Sequence, residues 1–337
     1  MAFTIGAGTA GAADARAPAP QRPPQTTLVV DNATGETLIE KDSDRLVHPA
    51  SLTKMMTLFL VFEALEKGTL KLDQKLAVSA DAASLGTMRI SLKLKEKQTI
   101  TVEQAIYGLT VQSANDASIV LAEAVGGSQE NFVKMMNAKA KELGMTGTVF
   151  MNPHGLPNPD QVTTARDMVT LSQAHLKRFS QYQKYFETKQ FTYKGCTYSN
   201  HNHLLGKIPE VDFGKTGYVD ASGYNLALSA KQGETRIFAV TFGDYTKEKR
   251  DSRMEGLLKD GFEKATILAA QQKPAPVVLA FAPVEKIVPE ISASLAPIIM
   301  KDDAEKAAPW PPRISQTSAI VKAANENSTS APPPKPI

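Results

Sequence analysis

The sequence predicts a mixed α/β protein of the α+β type, in which a helical lobe is inserted between the two halves of one five-stranded antiparallel sheet. Three observations lead there. Two stretches of alternating hydrophobicity flank an Asn32-Ala33-Thr34-Gly35 turn near the start, and three more follow one another between Val211 and Phe242. Between these groups the period changes to that of helices, with caps at the expected places. A sheet whose strands come from both ends of a domain, with helices between, leaves a cleft between lobe and sheet where a site can form.

Thr27 to Asp31 and Glu36 to Glu40 read as the first two strands. From Ser51 to Gly68 a helix is expected whose Leu52, Met55, Met56, Leu58, Phe59, Leu60, Phe62 and Leu65 leave almost no polar face, so it must be buried. Thr101-Val102-Glu103-Gln104 fits a capping box and opens a helix to about Val111. Asp116 is expected to cap a helix that ends at Gly126-Gly127, and another runs from about Gln129 to Gly144. Strands then follow over Val211 to Thr216, Gly223 to Ala230 and Thr235 to Phe242, the last two joined by a turn at Gln232-Gly233-Glu234. Arg253 to Gln271 reads as a closing helix.

The flanks have a different character. Ala2 to Ala13 is apolar and rich in small residues, and Ala13-Asp14-Ala15 resembles a signal-peptidase site. With the Pro-rich stretch 16–25, residues 1–25 read as the remnant of a signal peptide followed by a linker, and export across the inner membrane is expected. Residues 26–272 form the expected folded domain, and 273–337 read as a Pro-rich, largely extended tail. No stretch is long and apolar enough to span a bilayer.

Thirty-eight basic and 35 acidic side chains leave a net charge of +3 without a long basic run, which argues against nucleic acid as a partner. Cys196 is the sole cysteine, so the chain has neither an internal disulfide nor a cysteine cage for a metal. His201-Asn202-His203 offers two imidazoles, but no second ligand cluster accompanies them, and they read as polar loop or strand residues. No metal or other cofactor is expected.

Three short motifs carry the chemistry: Ser51-Leu52-Thr53-Lys54, Ser113-Ala114-Asn115 and Lys215-Thr216-Gly217. A given tripeptide such as the last is expected by chance roughly a tenth of a time in a chain of this length; all three in this order, on a helix, a loop and a strand, mark penicillin-interactive serine enzymes. Three residues apart at a helix start, Ser51 and Lys54 share a face, so the amine reaches the hydroxyl. A lysine near its reference pKa of ~10.4 is a poor base. Apolar burial and the positive end of the helix dipole both disfavour the ammonium, and a neutral Lys54 can take the Ser51 proton. Taken alone, the same residues also describe a capping serine and a solvated lysine. Ser113 and Asn115 lie between two helices, where a loop can deliver a hydroxyl and an amide to the cleft. On the first strand after the lobe, Lys215 and Thr216 can hold a carboxylate, and Gly217 lets a substrate backbone approach.

With these motifs on the page, residues 27 to about 270 resemble the serine-type D-alanyl-D-alanine carboxypeptidases, the low-molecular-mass penicillin-binding proteins. The likeness extends to His48-Pro49-Ala50 before Ser51, to Asn152-Pro153-His154-Gly155-Leu156, to Thr164-Ala165-Arg166-Asp167-Met168 and to Gly214 before Lys215. It implies a sheet packed between helices, as in class A β-lactamases, and a periplasmic enzyme of peptidoglycan biosynthesis, cell-wall organisation and cell shape. Its substrates are then peptidoglycan stem peptides and its covalent inhibitors β-lactams. By the same resemblance Ser51 attacks the bond between two terminal D-alanines, Lys54 is the base, and Ser113 passes a proton to the leaving amine. Asn115 holds the substrate amide and Lys54, Lys215 clamps charge, Thr216 contacts the terminal carboxylate, and the N–H groups of Ser51 and Tyr218 form the oxyanion hole. Arg250 falls where the family has a basic residue near the carboxylate; a solvated arginine at a helix start is the other reading of it.

The chain departs from the family pattern in three places. The second motif has Ala114 where the family usually has glycine, and His201 stands where close relatives often have arginine. The family's second, β-rich domain and its amphipathic anchoring helix are not recognisable after Gln272, so membrane anchoring is not expected. A D,D-endopeptidase with the same residues and a non-catalytic cell-wall or β-lactam-binding module are the alternatives. A hydrolytic β-lactamase is disfavoured, because the segment from Asn152 to Thr164 holds Asp160 but no glutamate.

Overall fold

A computed structural model describes residues 23–272. The expected signal peptide and most of the linker over 1–25, and the expected tail over 273–337 with its question of membrane anchoring, lie outside the described residues. In chain order the elements are β1 (Thr26–Asp31), β2 (Thr37–Lys41), α1 (Thr53–Glu66), β3 (Lys75–Ala77), α2 (Ala80–Leu85), β4 (Thr99–Thr101), α3 (Val102–Tyr107), α4 (Asn115–Gly126) and α5 (Gln129–Glu142). They continue with α6 (Ala165–Arg178), α7 (Lys184–Glu187), β5 (Gln190–Tyr193), β6 (Cys196–Ser199), β7 (Val211–Val219), β8 (Gly223–Gln232), β9 (Thr235–Asp244) and α8 (Lys247–Gln272).

The main sheet has five antiparallel strands in the order β2-β1-β9-β8-β7, so its edges come from the two ends of the described chain. Side-chain alternation divides its apolar residues between two layers. Leu28, Val30, Phe213, Phe238, Val240 and Phe242 join the large core built with α1 and the other helices of the lobe. Val29, Leu226, Leu228, Ile237 and Ala239 face the other way and pack with Met254, Leu258 and Ala265 of α8. Both faces of the sheet are covered, which is why successive residues of its central strands are buried rather than alternating between core and solvent.

α1 is buried on nearly every side: ten of its side chains from Met55 to Ala64 are no more than 7% exposed. The capping box at Thr101 and Gln104 forms as expected, and Ser128 caps α5 through the N–H of Asn131. Asp116 does not cap α4. That helix begins at Asn115 without a side-chain cap, and the fully buried Asp116 carboxylate instead accepts the N–H groups of Leu92, Leu94 and Ala117. A segment without secondary structure of its own needs those acceptors more than the helix end does. Among the described residues, no helix is long and apolar enough to cross a membrane.

Candidate active site

Ser51 lies in a tight 3-10 turn, Ala50–Leu52, immediately before α1, rather than within the helix itself. Ala50 enters the turn with φ +49°, a left-handed conformation that an L-residue adopts only when its surroundings enforce it. The enforcement comes from the loop over 152–156. Thr57 donates to the Pro153 carbonyl at 2.7 Å, Asn152 accepts the Gly155 N–H at 2.7 Å, and Gly155 packs on the Ala50 carbonyl.

Lys54 is completely buried one turn into the chain's helical path. Its Nζ lies 3.1 Å from Ser51 Oγ and 2.8 Å from Asn115 Oδ1, and it donates to the His154 carbonyl. Burial pushes the Lys54 pKa well below the usual lysine value, and the charge of Lys215 pushes it further, while the Asp116 carboxylate opposes both. The second cation is the part of this effect that the Ser-x-x-Lys spacing does not reveal.

Asn115 reaches Lys54 because α3 widens into a π-turn over Gly108–Gln112 and the chain then reverses at Ser113, which has φ +60°. Ser113 Oγ is buried and has no hydrogen-bond partner among the described residues. Lys215 is 2% exposed, donates to the Thr216 carbonyl at 2.9 Å, and has its pKa lowered to about 7 by burial and then by Arg250. Two imidazoles share this cationic region. Burial, then Lys215, His203, Arg250 and Lys54, lower His201 to about 4; burial, then Lys54, lower His154 to about 3. Both are therefore neutral near pH 7, and the site holds its positive charge on lysine and arginine, as a receptor for an anion requires.

Thr216 is buried on β7, and the half-exposed Tyr218 donates its hydroxyl to Asp220 at 2.7 Å with its ring 4.4 Å from that of Tyr224. Gly217 serves the protein's own packing: a β-carbon there would lie 3.1 Å from the Pro49 carbonyl and 3.2 Å from Ser51 N. The strand thus runs directly against the turn that carries Ser51, which brings the third motif to the first. Arg250 is not a solvated arginine. It is 3% exposed, and its Nε and Nη2 donate to Asp251 Oδ1 at 2.8 and 2.6 Å. Beside Ser51, a cavity of about 340 Å³ is lined by His48, Ala50, Leu156, Pro157, Val219 and Ala221 among others. Among the described residues no cluster of three or more metal-ligating side chains occurs. The arrangement sets a hydroxyl beside a buried amine of lowered pKa and a cationic wall, groups that can support acyl transfer on an anionic substrate.

Residues 13–246 match the family model described as D-alanyl-D-alanine carboxypeptidase. The chain is 38% identical over 246 residues to the D-alanyl-D-alanine carboxypeptidase DacF of Bacillus subtilis, covering 71% of this chain and 62% of that protein. It therefore spans less than two thirds of the length of that relative. Its fold resembles penicillin-binding protein 5 of Haemophilus influenzae, with a TM-score of 0.69 and 32% identity over 74% of this chain and 73% of the other. It also resembles penicillin-binding protein D2 of Listeria monocytogenes in its cefotaxime-bound form, with a TM-score of 0.64 and 32% identity over 70% of this chain and 96% of the other.

Proposed function

The chain belongs to the D-alanyl-D-alanine carboxypeptidase family, and from that premise we propose that it removes the terminal D-alanine from peptidoglycan stem pentapeptides through a serine acyl-enzyme and is acylated by β-lactams. The observation that carries the reading is the set of partners around Lys54 Nζ. Two of them, Asn115 Oδ1 and the His154 carbonyl, can only accept hydrogen bonds. A neutral amine has two N–H groups, and these satisfy both acceptors. Its lone pair is then left for the third partner, the Ser51 hydroxyl 3.1 Å away.

In this reading the Ser51 proton passes to Lys54 as Oγ attacks the carbonyl carbon of the penultimate D-alanine. The N–H groups of Ser51 and Tyr218 receive the oxyanion, donors typically worth ~3 kcal/mol each. Ser113 relays the proton from the Lys54 ammonium to the leaving nitrogen, giving up its own and receiving that of Lys54, as the C–N bond breaks and D-alanine departs; water then attacks the ester, its proton returns to Ser51 Oγ, and the acid product leaves. Lys215, Thr216 and Arg250 receive the terminal carboxylate. Residues 26–272 are the catalytic domain, and the enzyme acts in the periplasm on peptidoglycan, in cell-wall organisation and cell shape, after export by a signal peptide.

Release of D-alanine from a pentapeptide ending in D-alanyl-D-alanine tests the proposal, with Ser51→Ala as control. Release by the parent alone is the expected result. A folded parent that releases none, yet cuts cross-linked dimers, would replace the carboxypeptidase reading with that of an endopeptidase.

A further inference from the structure

Arg250 holds a contact that its position on a helix does not provide for. Consecutive helical residues point in different directions, and neighbouring side chains do not normally meet. Here the guanidinium folds back so that Nε and Nη2 both donate to Oδ1 of the next residue, Asp251. The carboxylate is held from a second element: His203 Nδ1 lies 3.1 Å from Asp251 Oδ2. The same loop also accepts from the guanidinium, with the His201 carbonyl 3.4 Å from the Nη2 that donates to Asp251. Asp251 is nearly buried and gives one oxygen to each partner.

The charges explain why such a holder is needed. Arg250 acts electrostatically on Lys215 and on His201, so it shares their buried region. Two cations held there in the absence of an anion repel, and a long guanidinium side chain would relieve this by swinging toward water. Asp251 supplies the directly bound compensating charge on the Nε/Nη2 edge, and the Asp244 carboxylate adds a further negative charge that Arg250 feels without a hydrogen bond. Nη1 makes no hydrogen bond among the described residues and is the donor left over. We propose that Asp251, braced by His203, is a positioning residue that fixes Arg250 with its Nη1 edge ready for the substrate's terminal carboxylate. This rests on the reading of Arg250 as a carboxylate-binding residue. Neither His203 nor Asp251 belongs to the three motifs.

The test compares two peptides that differ only at the end, one with a free terminal carboxylate and one with a terminal carboxamide. Asp251→Ala is expected to raise KM for the free acid by about tenfold, as for loss of one charge-assisted hydrogen bond, with kcat within about twofold and the carboxamide unaffected. Asp251→Asn, which keeps the Oδ1 acceptor but not the compensating charge, should recover only part of that loss. His203→Ala should show a weaker form of it, and His203→Asn, whose amide can replace Nδ1, should not. Removing Asp251 also makes the site more positive, so an unchanged or lowered KM overturns the proposal. Equal losses on both peptides would mean a merely structural staple and overturn it as well. Arg250→Ala is the separate control: if it leaves the free-acid KM at the parent value, the carboxylate reading fails and the proposal falls with it. If the parent turns over neither peptide, the activity reading fails, and the same variants are compared by the concentration dependence of acylation by benzylpenicillin, whose carboxylate makes the same demand.

Discussion

The backbone of Gly155 lies so close against the carbonyl of Ala50 that a β-carbon on residue 155 would come within 1.9 Å of that oxygen. Gly155 also has φ +85°, where a side chain is strained whatever the space. Any other residue must therefore displace the turn that carries Ser51. Gly155→Ala is expected to destabilise the protein by more than ~1 kcal/mol and to slow penicillin acylation by about a hundredfold, the scale of a 1 Å misplacement of a reacting group. Thermal melts and acylation rates followed by intact mass check both; a parent-like rate would mean that the loop does not set the turn.

Ser113 separates function from stability. Its hydroxyl is buried without a partner among the described residues, a situation that contributes nothing to the fold. Ser113→Ala is expected to leave the melting temperature unchanged or slightly higher while lowering acylation and peptide turnover by about 10²–10⁴, the range for loss of a proton-transfer group. A variant that melts early but acylates normally would make the residue structural.

Asp116 has the opposite profile. Its carboxylate accepts three backbone N–H groups at 2.9–3.1 Å, two of them from the 92–94 segment. Asp116→Ala leaves buried donors unpaired at ~1–3 kcal/mol each, and a large loss of stability by denaturant titration is expected. Asp116→Asn is milder and has a second signature. The Asp116 charge supports the ammonium form of Lys54, so its removal lowers the Lys54 pKa further and moves the acid limb of acylation to lower pH. A limb that stays in place would show that this charge does not reach Lys54.

How far the sequence can be read follows from where the determining contacts lie. Strands β1, β2, β7, β8 and β9 and helices α1, α4 and α5 were legible because their periodicity, caps and turn glycines are local signals. Helix α6, capped by Thr164, and the small two-stranded sheets β3-β4 and β5-β6 are not legible in this way: short strands carry too few alternations to stand out, and α6 shows in the sequence only through the Thr164–Met168 motif. At the site, Ser51 and Lys54 could be paired from spacing alone. The acceptors that orient Lys54 could not, since the His154 carbonyl is 100 positions away and is backbone, with no residue-type signature. Arg250 shows the same limit: whether a helix-start arginine is solvated or buried depends on the 201–203 loop, 48 and 49 positions away, which the fold alone brings to Arg250 and Asp251.

Lys215 is expected to be a residue that the fold would be more stable without. It is fully buried with a pKa lowered to about 7, against about 10.4 for an exposed lysine. The unfolded chain binds the extra proton between those values, so stability from this group rises with pH across that window and its cost is fully present below about 7. Lys215→Met is expected to stabilise the protein by ~1–4 kcal/mol at neutral pH and to flatten that rise, at the expense of activity. Denaturant midpoints between pH 6 and 10 decide it: an unstabilised variant with the parent's slope would place the parent lysine in contact with water.

On the proposed mechanism the two lysines are also expected to set the pH profile of acylation. Lys54 acts as a base only when neutral, so the rate climbs as pH rises through its pKa, which burial and the Lys215 charge hold well below the ordinary lysine value. Lys215 is useful only when charged, so kcat/KM in the free enzyme falls again as pH rises through about 7. The expected profile is a bell displaced to the acid side of what two ordinary lysines would give. Lys215→Gln removes the charge that lowers Lys54 and the group that titrates on the alkaline side together. Its acid limb should therefore move to higher pH and its alkaline limb should disappear, on a lower maximum. Penicillin acylation rates for parent and variant across the pH range measure both limbs, and an acid limb that stays in place would show that burial alone, without Lys215, sets the basicity of Lys54.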